Sequence, residues 1–358
     1  MTGEFVARPF PDVADDVEKT ERRRALTLRE VALAAGVSVA TASKALNDQG
    51  RMTAETRSRI RETAQRLGFR PNSLAQSLLR NRSFTVGLLT NDTYGRFSLP
   101  LMSGISEALV DNGVSVFLCN IEDDPRRGQL HVEAMLDKRV DGIIATGKRI
   151  DRQLPVDLSG LGIPVIHAFT QSAPDSIGFV SDDAEGARLA VEHLVQLGRR
   201  RIVHVTGPES FAVVHTRADA CREVLERAGL PARAPLLGRW SESWGHEAVA
   251  QLFDGPSTKP DAIFCGNDQI ARGVVDALRE RGIRVPDDVG VIGFDNWEIV
   301  AAETRPPLTS VDMNLAALGR EAGLTLLSLV DGRSVAPGIR KLPCRLVVRQ
   351  SCGRRKGD

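Results

Sequence analysis

From residue 84 onward, short apolar runs alternate with amphipathic stretches, and this alternation restricts the fold more than any other feature of the chain. The runs are TVGLL (85–89), VSVFL (114–118), DGIIA (141–145), PVIHA (164–168), RIVHV (201–205), DAIFC (261–265) and VGVIG (289–293). Each is continuously apolar, as a strand covered on both faces requires. Helical patterns lie between them, among them Leu101–Val110, Ala184–Leu197, Ala220–Ala228 and Asp268–Arg281. The alternation predicts an α/β fold of parallel sheets flanked by helices, with too many units for one small sheet.

The N-terminal part obeys a different pattern. In LREVALAAGVSVATASKAL (28–46), Leu28, Val31, Ala32 and Ala35 recur at helical spacing, Gly36 ends a first helix, and Val37 plugs the turn. Ser38 is placed to cap a second helix, Val39–Leu46, with Val39, Ala40, Ser43 and Lys44 outside the packing face. So short a turn, with small residues where the helices cross, suits a helix-turn-helix that presents its second helix to the major groove. An ordinary helical hairpin is the alternative. A third helix, capped by Thr53, runs to Leu67 with Ile60, Ala64 and Leu67 on one stripe, and Gly68 ends it.

Charge separates the two parts. The whole chain carries a formal +1, but residues 25–83 hold ten Lys and Arg against four Asp and Glu. Residues 1–24 sum to −1 and residues 84–358 to −4, so a basic head sits on a mildly acidic body. Such a head neutralises phosphates and gives sequence-independent, salt-sensitive affinity for DNA, although a charge run is more often only a solvated face. Arg70-Pro71-Asn72 then breaks the third helix, and Asn72–Leu79 has room for two further turns. Eight residues are marginal as an isolated helix in water, so this segment needs a second subunit or DNA as partner. The acidic and then basic stretch 1–24 is expected to be a disordered tail, with Arg22–Arg24 able to add phosphate contacts.

Other classes find little support. The five cysteines are scattered and form no C-x-x-C pair, which fits a reducing cytoplasm better than a disulfide or zinc scaffold. No apolar stretch reaches the ~18 residues of a membrane span, and residues 1–24 lack a signal-peptide core. VTGPES (205–210) and ATGK (145–148) make neither a P-loop nor a dinucleotide fingerprint. His167, His204 and His215 lack metal-ligand spacing, and no nucleophile–base pair stands out. No cofactor, no metal and no enzymatic activity are expected.

The stretches LREVALAAGVSVATASKALN and MTAETRSRIRETAQRLGFRPNSLAQSLLRNRSFTVGLL resemble, almost continuously from Thr27 to Leu89, the lactose-repressor and purine-repressor family of bacterial transcription regulators. The GVS turn, the RPN leading into the hinge and the A-x-x-L pattern carry the resemblance. It implies an all-α helix-turn-helix head (25–71), a hinge helix and linker (72–83), and a two-lobed core resembling periplasmic sugar-binding proteins (84–349). In that family the chain crosses between lobes three times, which puts the first lobe at about 84–182 and 312–342. The second is then about 183–311 and 344–349, with 350–358 a tail. Val39 and Ala40 would be the base-reading pair, with Lys44 one turn on. Lacking polar side-chain atoms, the pair can touch only thymine methyls, whereas Lys44 can donate to guanine O6 or N7. Thr41 and Ser43 would reach phosphates, and Thr27, Ser38, Arg51, Arg57, Asn72 and Ala75 complete the DNA-contacting set. Leu78 would be the wedge pushed into the minor groove, a core or dimer-contact leucine being the alternative.

For the core, the resemblance implies a ligand in the interlobe cleft. Arg217 follows VTG at the family's effector-contacting position, Asp295 belongs to GFDN (293–296), Asn267 to GNDQIARG (266–273), and Trp240 falls where an aromatic often covers the ligand. A structural ion pair without a ligand role is the alternative for Arg217 and Asp295. Phe169 stands where some sugar- and purine-responsive members carry an aspartate, and Phe97, Phe211 and Val213 add apolar surface. A carbohydrate or derivative is the preferred effector class. The expected protein is thus a cytoplasmic, nucleoid-associated homodimeric regulator, most simply a repressor, that binds a pseudo-palindromic operator under small-molecule control. No C-terminal leucine heptad suggests a tetramer. The residues leave open whether the effector is inducer or corepressor, and whether a partner protein replaces it. A solute-binding protein would need a signal peptide and no basic head, and an enzyme with an appended head would need a catalytic set.

Overall fold

The computed structural model describes residues 26–47, 49–69, 82–256 and 258–353, and the chain divides into two units, 1–81 and 82–358. The stretch 1–24 and the hinge positions Asn72, Ala75 and Leu78 lie outside the described residues.

Among the described residues of the first unit are three helices, α1 (Leu28–Ala34), α2 (Val39–Leu46) and α3 (Ala54–Leu67). Thr27 begins α1 with a reciprocal capping box: its side chain accepts from the Glu30 N–H while Glu30 accepts the Thr27 N–H at 2.6 Å. Gly36, at φ +66°, closes α1 in the left-handed conformation, and the Val37 N–H returns to the Ala32 carbonyl at 3.0 Å. Ser38 and Thr53 cap α2 and α3. Ala32, Ala35, Ala42, Ala45 and Ile60 make the small core, with Leu28, Val37, Leu46 and Met52 packed on it. Four of the five residues of this cluster are alanines, small enough to let the helices approach closely, and Val31 is fully buried as well.

The second unit contains two six-stranded sheets. The first has the order β11-β5-β4-β3-β1-β2, from β1 (Thr85–Thr90), β2 (Ser115–Asn120), β3 (Gly142–Thr146), β4 (Val165–Ala168), β5 (Ile177–Ser181) and β11 (Gly338–Leu342), all parallel. The second has the order β12-β10-β9-β8-β6-β7, from β6 (Ile202–Thr206), β7 (Leu236–Leu237), β8 (Ala262–Cys265), β9 (Gly290–Asp295), β10 (Thr309–Asp312) and β12 (Arg345–Val347). Among the described residues, only β10 and β12 pair antiparallel. Helices α4 (Ser98–Val110), α5 (Pro125–Asp137) and α11 (Leu315–Val330) cover the first sheet. Helices α6 (Asp183–Gln196), α7 (Ala212–Arg227), α8 (Glu242–Phe253) and α9 (Asp268–Glu280) cover the second, and α10 (Glu298–Ala301) is a single turn after β9. The central strands β1, β3 and β5 are buried on both faces: Leu88, Ile144 and Phe179 meet α4 and α11, while Leu89 and Ile143 face Val132 and Met135 of α5. Helices α4 and α11 touch backbone to backbone, since a Cβ on Gly104 would lie 1.8 Å from the Ala316 carbonyl oxygen and one on Gly319 2.0 Å from that of Leu101.

The chain passes between the sheets three times: after β5, after β10 and after β11. These strands are laced together. The Ser181 hydroxyl donates to the Met313 carbonyl at 2.7 Å, and the Asp182 N–H to that of Leu342 at 2.8 Å. Two boundaries differ from the sequence reading. Arg82 and Ser83, read as linker, are tied to the core, Arg82 through an ion pair to Asp331 at 2.8 Å and Ser83 through its N–H to Asp141 at 2.7 Å. Ser351 and Cys352, read as tail, are fully buried, because the Val291 N–H donates to the Ser351 carbonyl at 2.7 Å and the Ser351 hydroxyl returns to the Val291 carbonyl at 2.6 Å. Among the described residues, no helix is long and apolar enough to cross a membrane.

Candidate functional site

The outer surface of the head follows from its core. Ala42 and Ala45 face inward, so Val39, Ala40 and Lys44 stand exposed on the opposite side of α2. Val39 is 45% exposed, which leaves its methyl groups accessible. The Lys44 stem lies over Gly50, where an added Cβ would meet its Cδ at 3.0 Å. Some of the polar residues have structural work as well. The Ser38 Oγ accepts the Thr41 N–H at 3.1 Å and shares a 2.8 Å hydrogen bond with the Thr41 hydroxyl. Arg57 donates to the carbonyls of Ala45 and Gly50 at 3.4 and 3.1 Å, tying α3 to the C-terminal end of α2. Ser43 is half-buried, and Arg51 is exposed beside Gly50.

In the core, strand order reverses between β3 and β1 in one sheet and between β8 and β6 in the other. Loops at the carboxyl ends of strands diverge at such switch points and leave a crevice. The two crevices share a cavity of about 460 Å³. It is lined by all seven residues singled out from the sequence: Phe97, Phe169, Val213, Arg217, Trp240, Asn267 and Asp295. Phe97 and Phe169 stack with ring centroids 4.9 Å apart. Trp240 lies flat on Gly207, where any Cβ would come within 2.3 Å of its ring, and meets the Phe211 ring edge-on at 5.6 Å. Asn267 caps α9, its Oδ1 accepting the Ile270 N–H at 2.8 Å, which leaves its NH₂ available. Phe169 and Asp295 have positive φ (+57° and +98°), strained for residues with side chains.

The charged groups are almost all paired. Arg217 is 4% exposed; its Nε donates to Asp183 Oδ1 at 2.8 Å and NH1 to the Gly266 carbonyl at 2.6 Å, while NH2 also reaches Asp183 Oδ1. Its guanidinium carbon sits 3.5 Å from the Phe294 ring centroid. Three of the five N–H groups are thereby used, so Arg217 keeps capacity for a ligand. The ion pair that Arg217 makes is with Asp183 in its own lobe, not with Asp295. Asp295 is paired instead across the cleft with Arg96, whose NH1 also donates to Gln269 Oε1 at 2.9 Å. Arg149 forms a two-pronged pair with Asp151 at 2.8 and 2.9 Å, donates to the Ser210 carbonyl at 2.8 Å and stacks on Phe211 at 3.6 Å. Asp151 in turn accepts the Ala212 N–H at 2.7 Å. This caps α7 from the opposite lobe, since the N-cap residue Phe211 has no side-chain oxygen.

Burial dominates the titration of this region. It pulls the Arg96 guanidinium down to about 10, still charged at neutral pH. It pushes Asp268, which accepts from the Ser310 hydroxyl at 2.5 Å and the Trp297 N–H at 2.7 Å, up to about 7. His204, stacked on Phe264, is driven down to about 4 by the same cause.

Sequence reasoning did not single out Arg96, Asp151, Asp183 or Trp297. Trp297 directly follows GFDN and Asp183 ends VSDD, so adjacency to strand ends was the available signal. Arg96 and Asp151 lie in loops whose partners are 199 and 61 residues away, and nothing local marks them.

A three-helix head with an exposed second helix, and a two-lobed core with a crevice at paired switch points, define a ligand-controlled DNA-binding protein. Residues 27–72 match the pattern of bacterial regulatory proteins of the lacI family, and residues 191–352 a periplasmic binding protein-like domain. The HTH-type transcriptional repressor CytR of Escherichia coli (strain K12) is 30% identical over 338 residues, covering 92% of this chain and 97% of that protein. Among solved structures, the lac repressor dimer bound to operator and the anti-inducer ONPF superposes with a TM-score of 0.69 at 28% identity, over 92% of this chain and all of that one. The transcriptional regulator CelR–cellobiose complex gives a TM-score of 0.64 at 26% identity, over 91% and 99%. The chain belongs to the lacI family: it is a DNA-binding transcription regulator with a ligand-binding core.

Proposed function

We propose that the chain is a homodimeric cytoplasmic repressor without enzymatic activity, reading a pseudo-palindromic operator and answering to a carbohydrate or carbohydrate derivative in the interlobe cleft. The observation that carries this reading is the meeting of Phe97, Phe169, Val213, Arg217, Trp240, Asn267 and Asp295 around one cavity. Aromatic faces at Trp240 and the Phe97–Phe169 stack suit the apolar faces of a sugar ring, while Asn267 and the spare N–H groups of Arg217 suit its hydroxyls. Each described cationic side chain in the lining (Arg96, Lys148, Arg149, Arg217) already has a carboxylate partner, which favours an uncharged ligand over a phosphate. The solved relative with cellobiose agrees. Lobe closure about the three laced crossovers would change the spacing of the segments that lead to the heads, and a ligand moves that equilibrium only by its differential affinity.

On the DNA, Val39, Ala40 and Lys44 specify bases. Thr27, Ser38, Thr41, Ser43, Arg51 and Arg57 position the head, and Leu78, with Asn72 and Ala75, serves the minor groove. The test is selection of genomic fragments by the purified protein at near-physiological salt. A few sharp palindromic sites, released or strengthened by a sugar, support the reading; recovery without a motif, with and without candidate sugars, refutes it.

A further inference from the structure

One side chain of the cleft lining crosses from one lobe to the other. Arg96, on the loop between β1 and α4 of the first lobe, reaches across to Asp295 at the end of β9 and to Gln269 of α9. Its guanidinium carbon lies 5.2 Å from the Phe97 ring centroid and 5.1 Å from that of Trp297. The side chains of Arg96 and Asp295 are only 13% and 6% exposed. A carboxylate, an amide oxygen and two aromatic rings around a planar cation form a guanidinium site, with charge-assisted and cation–π contributions acting together. The site is built from both lobes, so its occupant can sit there only while they are closed upon it.

Asp295 also lines the cavity proposed for the ligand, and its Oδ2, taken by Arg96, is not available to a sugar hydroxyl. We propose that Arg96 is a tethered pseudo-ligand: it fills a cation subsite formed by Asp295, Gln269, Trp297 and Phe97, bridges the lobes in the absence of effector, and competes with the effector for Asp295. The inference rests on the effector-binding reading of the cleft. It adds that effector entry exchanges one closed arrangement for another, rather than closing an open cleft. The second bridge, from Arg149 and Asp151 to Ser210, Phe211 and Ala212, holds the other side of the same cavity.

The test is chemical rescue in the full-length protein. Arg96→Ala vacates the subsite without touching its walls. Ethylguanidinium should then raise the melting temperature of Arg96→Ala saturably, with a midpoint of ~1 mM, and should leave wild type unchanged. Urea, the uncharged planar isostere, should have no such effect at the same concentrations, and Arg96→Ala/Asp295→Asn should lose the response. Operator affinity reads the regulatory half. Arg96→Ala should change the effector-free Kd at least about fivefold, and ethylguanidinium should reverse the change. Equal responses to ethylguanidinium and urea, or a response surviving in the double variant, would overturn the cation subsite. Rescue of melting with an unchanged operator Kd would overturn the regulatory bridge. Neither readout needs an identified effector: a wild type that ignores every sugar would count against the ligand reading and leave the rescue standing.

Discussion

Arg217→Ala is the variant most naturally chosen to abolish a ligand response, and the structure gives it a second effect. Arg217 and Asp183 are each 4% exposed; Arg217 donates twice to Asp183 Oδ1, and Oδ2 has no hydrogen-bond partner, so removing the guanidinium strands a buried carboxylate. Breaking a buried pair from one side costs about 3–5 kcal/mol. For a domain of this size each kcal/mol lowers the melting temperature by roughly 2–4 °C, which predicts a fall of about 6–20 °C. Replacing both members by apolar groups of similar volume is often close to neutral, so Arg217→Met/Asp183→Leu should recover most of the loss, to within about 2 kcal/mol of wild type. Thermal unfolding followed by circular dichroism, on wild type, both single variants and the double variant, completes the cycle. An Arg217→Ala protein within about 1 kcal/mol of wild type would refute the buried-charge argument, as would a double variant no more stable than the single. The double variant, once folded, is the form in which a lost ligand response reports a lost contact.

Three further outcomes are expected. Lys44→Ala should cost about 1–3 kcal/mol at one base pair of each half-site and little elsewhere, measured by binding to a set of single-base operator variants; uniform loss would reassign Lys44 to phosphate. Asp268 is held near 7 in the folded chain against an ordinary 3.8, so the native state binds the extra proton: its contribution to stability is full below about pH 3.8 and is lost as pH rises to 7. His204, held near 4, acts in the opposite sense between about 4 and 6.5, so urea midpoints should fall most clearly from pH 6.5 to 7.5, and Asp268→Asn should flatten that fall. Gly319→Ala forces a Cβ to within 2.0 Å of the Leu101 carbonyl oxygen and should destabilise the core by about 1–3 kcal/mol or more, read as a lowered urea midpoint.

Elements fixed by local pattern were legible in the sequence, and contacts fixed by topology were not. The spacing of Val31, Ala32 and Ala35, the Gly36 turn and the Ser38 cap marked two helices at their observed places. Seven apolar runs fall on β1, β2, β3, β4, β6, β8 and β9; for β1, β3, β6, β8 and β9 the reason is burial on both faces, which leaves no polar alternation. Strands β5, β7, β10 and β11 are not among those runs: Gly338–Leu342, for one, alternates between exposed and half-buried as an edge strand does, while β12 lies within the last strand that the resemblance implied near 344–349. In the cleft, Arg217, Trp240, Asn267 and Asp295 came from motif resemblance, whereas their partners came from geometry. No periodicity connects Arg96 with Asp295 or Asp183 with Arg217; only the juxtaposition of strand ends does so.

The discontinuous first lobe has a consequence for how the protein is made. Helix α4 finds its backbone-contacting partner, α11, some two hundred residues later in the chain, and β5 receives its outer neighbour β11 later still. During synthesis the part of α4 around Leu101 and Ile105 that packs on α11 therefore lacks its native cover until Leu318, Ala322 and Leu326 have left the ribosome. The second lobe emerges almost whole within that interval and can gather around β6, β8 and β9 first. A nascent chain halted near residue 300 should accordingly present a wet apolar helix face to chaperones, and one released beyond residue 350 should not.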